Sequence, residues 1–142
     1  MGAGNQERIE WGPAWELGLE DIDLQHHFFA NLINRLAAGS GQPMSLDSLQ
    51  GLLDELSAYA RFHFVSEENA MLRWAYPQRE AHAQHHRQLI DQLSARATLL
   101  RMRGAEGDVH DVVDFLVSWF MGHTHNEDRQ FVDFVLASGR AP

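Results

Sequence analysis

The chain of 142 residues contains no cysteine. That absence excludes disulfide bridges, thiolate metal ligands and cysteine nucleophiles. It also fits a reducing compartment, so we expect a cytoplasmic protein.

Basic residues are scarce, with 11 Lys plus Arg against 20 Asp plus Glu, and the formal net charge is −9. A chain this acidic, without blocks of basic residues, is poorly suited to binding phosphate backbones, so no nucleic-acid partner is expected. No apolar stretch is long enough to span a bilayer, and the N-terminus lacks the pattern of a signal peptide. The sequence therefore predicts no membrane insertion.

Strand signals are weak, because no alternating runs of β-branched residues stand between tight turns. Proline and glycine instead divide the chain into an N-terminal arm and four long segments with helical periodicity. Short connections between long helices favour an all-α, up-down-up-down four-helix bundle in one domain, residues 1–142. The predicted elements are an ordered arm at 1–19 and helices at about 20–38, 46–74, 78–103 and 108–137.

Histidine, in contrast, is abundant, with nine residues. Three of them fall in the stretch AHAQHH of the third helix. Residues seven apart share a face of a bundle helix. His82 is in register with Leu89, and His86 is in register with Leu93, so both should face the core. His85 has a polar residue in register and should lie outside it.

The same test turns one histidine of each remaining helix inward, namely His26, His63 and His123. Glu67 also follows apolar residues in register, whereas its neighbour Glu68 falls on a solvent row. Burying so many polar groups without partners would cost about 1–3 kcal/mol each. A hydrogen-bonded core histidine explains one such residue, whereas five of them with a carboxylate favour a metal site.

The donor set indicates which metals would fit. His63 with Glu67 and His82 with His86 are i,i+4 pairs, which place two side chains on one face of a helix. Five histidines with carboxylates exceed the four ligands of one tetrahedral zinc, which favours two metal ions. The chain has no Glu-x-x-His motif of the carboxylate-rich di-iron bundles that activate oxygen. A histidine-rich site favours reversible O2 binding over oxygenase chemistry.

Four segments carry a resemblance to a known family: WELGLEDIDLQH at 15–26, HFVSEENAM at 63–71, YPQREAHAQHH at 76–86 and WFMGHTHNED at 119–128. With them the chain resembles the hemerythrin family, and in particular its single-domain bacterial members. The resemblance implies two irons with an oxo or hydroxo bridge and O2 as the ligand. It also implies that His82, His86 and His123 saturate one iron, that His26 and His63 bind the other, and that Glu67 and Asp128 bridge them.

The register test and the resemblance disagree about the second bridging carboxylate. The in-phase residue after His123 is Glu127, whereas the resemblance selects Asp128. In an ideal helix Asp128 lies about 140° around from His123. We favour Asp128, which predicts a bulge or loosened turn between residues 123 and 128, and Glu127 is the alternative ligand.

Thr124 departs from the apolar residue that usually follows this histidine in the family. It is either a tolerated change or a hydroxyl beside the bound O2. By analogy with the family, Phe64 and Trp119 would line the same pocket. Asp23 either orients His26 or is simply exposed.

The leading functional hypothesis is a non-enzymatic O2-binding protein that carries, stores or delivers oxygen. The alternatives are a di-iron peroxidase or oxidase, a sensor of O2 or redox state, and a zinc- or iron-storing bundle. Candidate partners are O2 and an oxygen-using enzyme. The oligomeric state is left open, and a monomer is compatible with the sequence. The remaining histidines should be solvated: His27, His85, His110 and His125. Two tryptophans, Trp11 and Trp15, should hold the N-terminal arm across the bundle.

Overall fold

A computed structural model describes residues 8–40, 45–103 and 109–139. The described residues form an all-α bundle, which confirms the predicted fold class. The elements are a short 3-10 turn Pro13–Trp15, α1 Glu20–Ser40, α2 Leu46–Arg73, α3 Arg79–Arg103, α4 Val109–His123, a π-helical turn Thr124–Asp128 and α5 Arg129–Ala137. The last three run one after another as the fourth column of the bundle.

Local sequence sets both ends of α2. The hydroxyl of Ser45 accepts a hydrogen bond from the backbone N–H of Ser48 and so caps the first turn. After the last turn, Ala75 adopts a left-handed conformation with φ of 53°, which ends the helix. The N–H of Tyr76 then bonds to the carbonyl of Met71. This tight connection turns the chain back into α3 within a few residues.

The described part of the arm packs across the bundle. Trp15 is buried, its ring lies 5.3 Å from that of Phe120, and its Nε1 donates to the carbonyl of Glu10. Asn34 exchanges two hydrogen bonds of 2.9 Å with the backbone of Ile9. The expectation that tryptophans pin the arm is confirmed. Residues 1–7 of the predicted arm, and the predicted start of the fourth helix at Asp108, lie outside the described residues.

Two groups of buried apolar side chains stand on either side of the inward histidines. The large apolar cluster includes Leu56, Leu89, Leu93 and Leu116, and the small apolar cluster includes Ala70, Met71, Phe131, Val132 and Val135. A fully buried side chain of leucine or phenylalanine size contributes about 1.5–3 kcal/mol. Within the described ranges, none of the helices has both the length and the apolarity to cross a membrane.

Candidate metal centre

Seven polar side chains meet between the two apolar clusters, and each is between 0% and 4% exposed. All four columns of the bundle contribute to them. The predicted inward orientation of five histidines and of Glu67 is confirmed, and Asp128 is buried with them. We call these seven residues the histidine layer: His26, His63, Glu67, His82, His86, His123 and Asp128.

Three imidazoles of the layer form one group. Nε2 of His82 and Nε2 of His86 lie 2.9 and 3.1 Å from Oε1 of Glu67. Nε2 of His82 and Nε2 of His123 lie 2.8 and 3.2 Å from Oδ1 of Asp128. The three Nε2 atoms thus point at one place, with one oxygen from each carboxylate. We call His82, His86 and His123 the three-histidine group.

The other two imidazoles form a second group. Nε2 of His26 lies 3.4 Å from Oε2 of Glu67 and 3.0 Å from Oδ2 of Asp128. Nε2 of His63 lies 3.5 Å from the same Oε2. We call His26 and His63 the two-histidine group. Each carboxylate therefore directs one oxygen at each group, as a bridging carboxylate would.

Several nitrogen and oxygen atoms of the layer that could bind a metal have no hydrogen-bond partner among the described residues. Nε2 of His26, Oε2 of Glu67 and Oδ1 of Asp128 are buried without a hydrogen bond of acceptable geometry, although imidazole nitrogens lie within 3.5 Å of both oxygens. Such atoms normally have a partner in a folded protein. Divalent or trivalent cations between the two groups would satisfy all three. The donor types, imidazole nitrogen with carboxylate oxygen, fit iron.

The turn that carries Asp128 is π-helical, from Thr124 to Asp128. In a π turn, residues five apart come onto one face, whereas in an α-helix they do not. Asp128 therefore reaches His123, and the predicted bulge between them is confirmed. The side chain of Asn126 donates a hydrogen bond of 2.8 Å to the carbonyl of Gly122, just before the wide turn. Glu127 instead lies 3.0 Å from Nδ1 of His123, on the side away from the layer.

The electrostatics of the layer show how tightly the imidazoles and carboxylates interact without a cation. Burial opposes charge on His26, but Asp128 and Glu67 raise the pKa of this imidazole to about 10. The same carboxylates overcome burial and raise the pKa of His82 to about 9. Burial lowers the pKa of His63 to about 4. A cation that binds Nε2 atoms must therefore displace protons, so metal uptake releases them.

Carboxylates near the layer do not all lie where register places them. Nδ1 of His86 lies 2.8 Å from Glu68, which is only 29% exposed. Glu68 is therefore partly buried and not fully solvated as its register predicts, because its side chain reaches from α2 across to His86 on α3. Asp23 accepts hydrogen bonds from the N–H groups of Leu17 and Gly18. It therefore holds the arm against α1, and the interpretation that it orients His26 is not supported.

Aromatic rings cover both groups. Phe64 stacks on His86 at 3.9 Å, and Trp119 stacks on His123 at 4.4 Å. The rings next to the two-histidine group include Phe29, 6.0 Å from His63, and Phe120, 6.0 Å from His26. Sequence analysis did not single out these two phenylalanines, because an apolar residue in register reads as ordinary core.

Thr124 is buried at 1% exposure in the π turn. Its hydroxyl is therefore enclosed by the bundle and is not exposed to solvent. The assignment of Phe64, Trp119 and Thr124 to an O2 pocket remains a prediction.

The four remaining histidines lie outside the layer and are exposed, as predicted: His27, His85, His110 and His125. Two of them have aromatic contacts with the arm. Trp11 stacks on His27 at 4.6 Å, and His125 meets the edge of Trp15 at 4.3 Å. His85 lies 3.3 Å from Glu127.

Comparison with known proteins gives a consistent result. The profile of the hemerythrin HHE cation binding domain matches residues 17–135. A bacteriohemerythrin of Ralstonia nicotianae is 30% identical over 135 residues, which cover 92% of this chain and 91% of that protein. A bacteriohemerythrin of Clostridium acetobutylicum is 25% identical over 126 residues, or 87% of this chain and 98% of that protein. One from Pseudomonas aeruginosa is 30% identical over 128 residues, or 89% of this chain and 81% of that protein.

Proposed function

This chain belongs to the hemerythrin family, and from that premise we propose that it binds O2 reversibly at a pair of irons. It would act as a carrier, store or delivery protein and not as an enzyme. The proposed iron ligands are His26, His63, Glu67, His82, His86, His123 and Asp128.

One observation carries this proposal: two carboxylates are shared between two unequal groups of imidazoles. The three-histidine group and two carboxylate oxygens supply five donors, and the two-histidine group with the other two oxygens supplies four. Octahedral iron takes six ligands. One solvent-derived bridge between the irons would complete the first set and leave one position open in the second. That open position is where O2 would enter.

When bound, the iron pair would supply the electrons that O2 binding requires and recover them on release. The chain supplies the remaining conditions for reversibility. Glu67 and Asp128 offset part of the metal charge inside the bundle, where an uncompensated charge is costly. Phe29 and Phe120 place apolar rings next to the two-histidine group. These apolar rings disfavour the entry of water and protons, which would make the oxidation of the iron pair by O2 irreversible.

The test is anaerobic loading with ferrous iron, followed by metal analysis and titration with O2. We expect two irons per chain, and an oxy spectrum that disappears when O2 is removed. Resonance Raman spectra should show an O–O stretch that shifts with isotopically labelled O2. One zinc per chain, or fewer than two irons, would contradict the proposal. Irreversible oxidation with turnover of a reducing substrate would favour an enzyme.

The buried hydroxyl of Thr124 favours a second candidate, a peroxidase or oxidase that uses the same site. A buried hydroxyl directly after the ligand His123 could relay protons to reduced oxygen, whereas an apolar residue could not. T124V has nearly the same shape without the hydroxyl. If Thr124 relays protons, the autoxidation rate of T124V should fall, by an amount typical of one proton-transfer group, roughly 10²-fold at most. An unchanged rate would make Thr124 a tolerated substitution.

The cytoplasm is the proposed location, which a chain without cysteine fits. An oxygen-using enzyme is the proposed recipient in the delivery role. Sensing would instead require a partner whose behaviour changes with the oxygenation state. Oxygen-dependent binding to such a partner would distinguish the two roles.

A further inference from the structure

Hydrogen bonds on the outer ring nitrogens distinguish the two histidine groups. In the three-histidine group, Nδ1 of His86 lies 2.8 Å from Oε2 of Glu68. Nδ1 of His123 lies 3.0 Å from Oε1 of Glu127. Both partners are carboxylates that are roughly one-third exposed, at 29% and 31%. Neither carboxylate lies at the place where the Nε2 atoms converge.

The two-histidine group differs in its outer partners. Nδ1 of His63 lies 2.7 Å from Oε1 of Gln25, a neutral side chain. The Nε2 of this amide donates a hydrogen bond of 2.9 Å to the hydroxyl of Ser66, which leaves Oε1 facing the imidazole of His63 as an acceptor. Nδ1 of His26 is buried and has no hydrogen-bond partner among the described residues. Among the described residues, only the three-histidine group therefore has negatively charged partners on its Nδ1 atoms.

We propose that these outer partners set the order in which the two irons are reduced, an inference that rests on the proposed function. Glu68 and Glu127 stabilise the oxidised state of the iron of the three-histidine group and so lower its reduction potential. Gln25 leaves the iron of the two-histidine group easier to reduce. All three are positioning residues, because they act through an imidazole and touch neither metal nor O2.

The physical argument begins with the ring tautomer. A carboxylate can only accept, so His86 and His123 carry a proton on Nδ1 and are left with Nε2 as the nitrogen that can bind a metal. An anionic acceptor also makes the imidazole a stronger electron donor than an amide does. Because these two carboxylates are about two-thirds buried and bond directly to the ligand rings, solvent screens them only in part, and their negative charge favours the more highly charged metal ion. The two-histidine group lacks this stabilisation.

The arrangement has a consequence for O2 binding. The first electron that enters a diferric pair would settle on the iron of the two-histidine group. That iron is the one with the open position. The outer partners thus direct reducing charge to the side of the site where the ligand binds.

The test is an anaerobic redox titration of the iron-loaded protein, with its two one-electron steps resolved. E68Q and E127Q keep an amide acceptor and remove the charge, so each should raise the lower of the two potentials. Q25E adds a charge on the other side and should lower the higher potential. Each change should shift the ratio of oxidised to reduced iron about tenfold, which is about 59 mV for one electron. All three variants should therefore reduce the difference between the two reduction potentials, E68Q and E127Q by raising the lower one and Q25E by lowering the higher one.

E80Q is the matched control, because it removes the same charge close to the layer but outside it. Glu80 lies on α3 two residues before His82, and its side chain is 80% exposed, 3.6 Å from Arg79. Solvent screens a charge at such a position, so E80Q should shift both reduction potentials equally, and by much less than E68Q or E127Q shifts one of them. If E68Q and E127Q behave like E80Q, the inference is wrong even though the wild-type protein holds two irons and binds O2. If the wild-type protein does not hold two irons, the proposed function itself fails.

A second measurement covers variants that lose iron. In the zinc-loaded protein, the Nδ1–H proton of His86 should be observable by NMR and protected from exchange with water. In E68A this protection should be lost, and in E80A it should persist. Equal protection in E68A and E80A would overturn the role of Glu68 without any iron being present.

Discussion

The histidine layer and the large apolar cluster occupy the same faces of the same helices, yet they differ in what burial does to them. His86 and Leu93 stand seven residues apart on α3, and both are at most 2% exposed. The leucine is stable there by packing alone, whereas the buried imidazole also needs polar partners, such as the carboxylate of Glu67, 3.1 Å from its Nε2. Register thus decides which residues are buried, and side-chain chemistry decides whether burial stabilises the fold or creates a site.

The sharpest way to separate the two regions is to remove one ligand. H86A should abolish binding of the iron pair, because it removes one of three imidazoles that converge on one metal position. The oxy spectrum should be absent, and metal analysis should give fewer than two irons per chain. The metal-free variant should stay folded, as circular dichroism can show. A spectrum like that of the wild-type protein would contradict the assignment of His86.

The matching substitution in the apolar cluster should have the opposite effect. L93A creates a cavity and should lower the free energy of unfolding by about 2–5 kcal/mol. Chemical denaturation of the metal-free protein measures this loss. The iron content of the folded variant should stay near that of the wild-type protein. If L93A loses iron as completely as H86A does, the two regions are not separable.

Changing the pH should expose the histidine layer without any substitution. The pKa of His26 is raised from 6.5 to about 10, and that of His82 to about 9. Raised values stabilise the folded state fully below the unfolded pKa of 6.5, and this stability is lost as the pH rises through 9 to 10. His63, with its lowered pKa, is neutral in the folded state throughout this range.

The free energy of unfolding of the metal-free protein should therefore fall between pH 6.5 and 10. Urea denaturation across this range measures the slope. H110A is a suitable control, because His110 is exposed and should leave the slope unchanged. A flat profile in the wild-type protein would show that these imidazoles are not charged when the metal is absent.

The smallest effect is expected at His85, the neighbour of a ligand that lies outside the layer. H85A removes only a contact of 3.3 Å with Glu127 on the surface. The oxy spectrum and the iron content should stay as in the wild-type protein. A large loss would show that the contact between Glu127 and His123 depends on His85.

Much of this site could be predicted because heptad register is a strong constraint on a bundle. Each inward histidine stands where a leucine, isoleucine or valine would otherwise pack, as His82 stands in register with Leu89. The irregular turn followed from a conflict between register, which selects Glu127, and the family resemblance, which selects Asp128, because Asp128 could reach the layer only if the helix widened. The fold class followed from the weakness of strand signals and the length of the periodic segments.

Register says which face a residue occupies but not how far its side chain reaches. Glu68 lies on a solvent row of α2, yet its flexible side chain reaches across to His86 on α3. Asp23 is near His26 in sequence, but its carboxylate binds N–H groups of the arm instead. Gln25 and Phe120 were missed for a related reason, because nothing in their residue type or spacing separates an outer partner from ordinary surface or core.

The wide turn at Thr124–Asp128 also changes how the end of the chain can evolve. It behaves as one extra residue inserted in the helix, and the frame of inward positions shifts there. Before it, buried residues follow the heptad of Leu116 and His123, whereas after it they follow Asp128, as Phe131, Val132 and Val135 do. Straightening this turn into a regular α-helix without losing a residue would rotate α5 and Asp128 together by about 100°, whereas deleting one residue would leave them facing the same way. A carboxylate ligand and the hydrophobic seal beneath it must therefore be gained or lost as one unit.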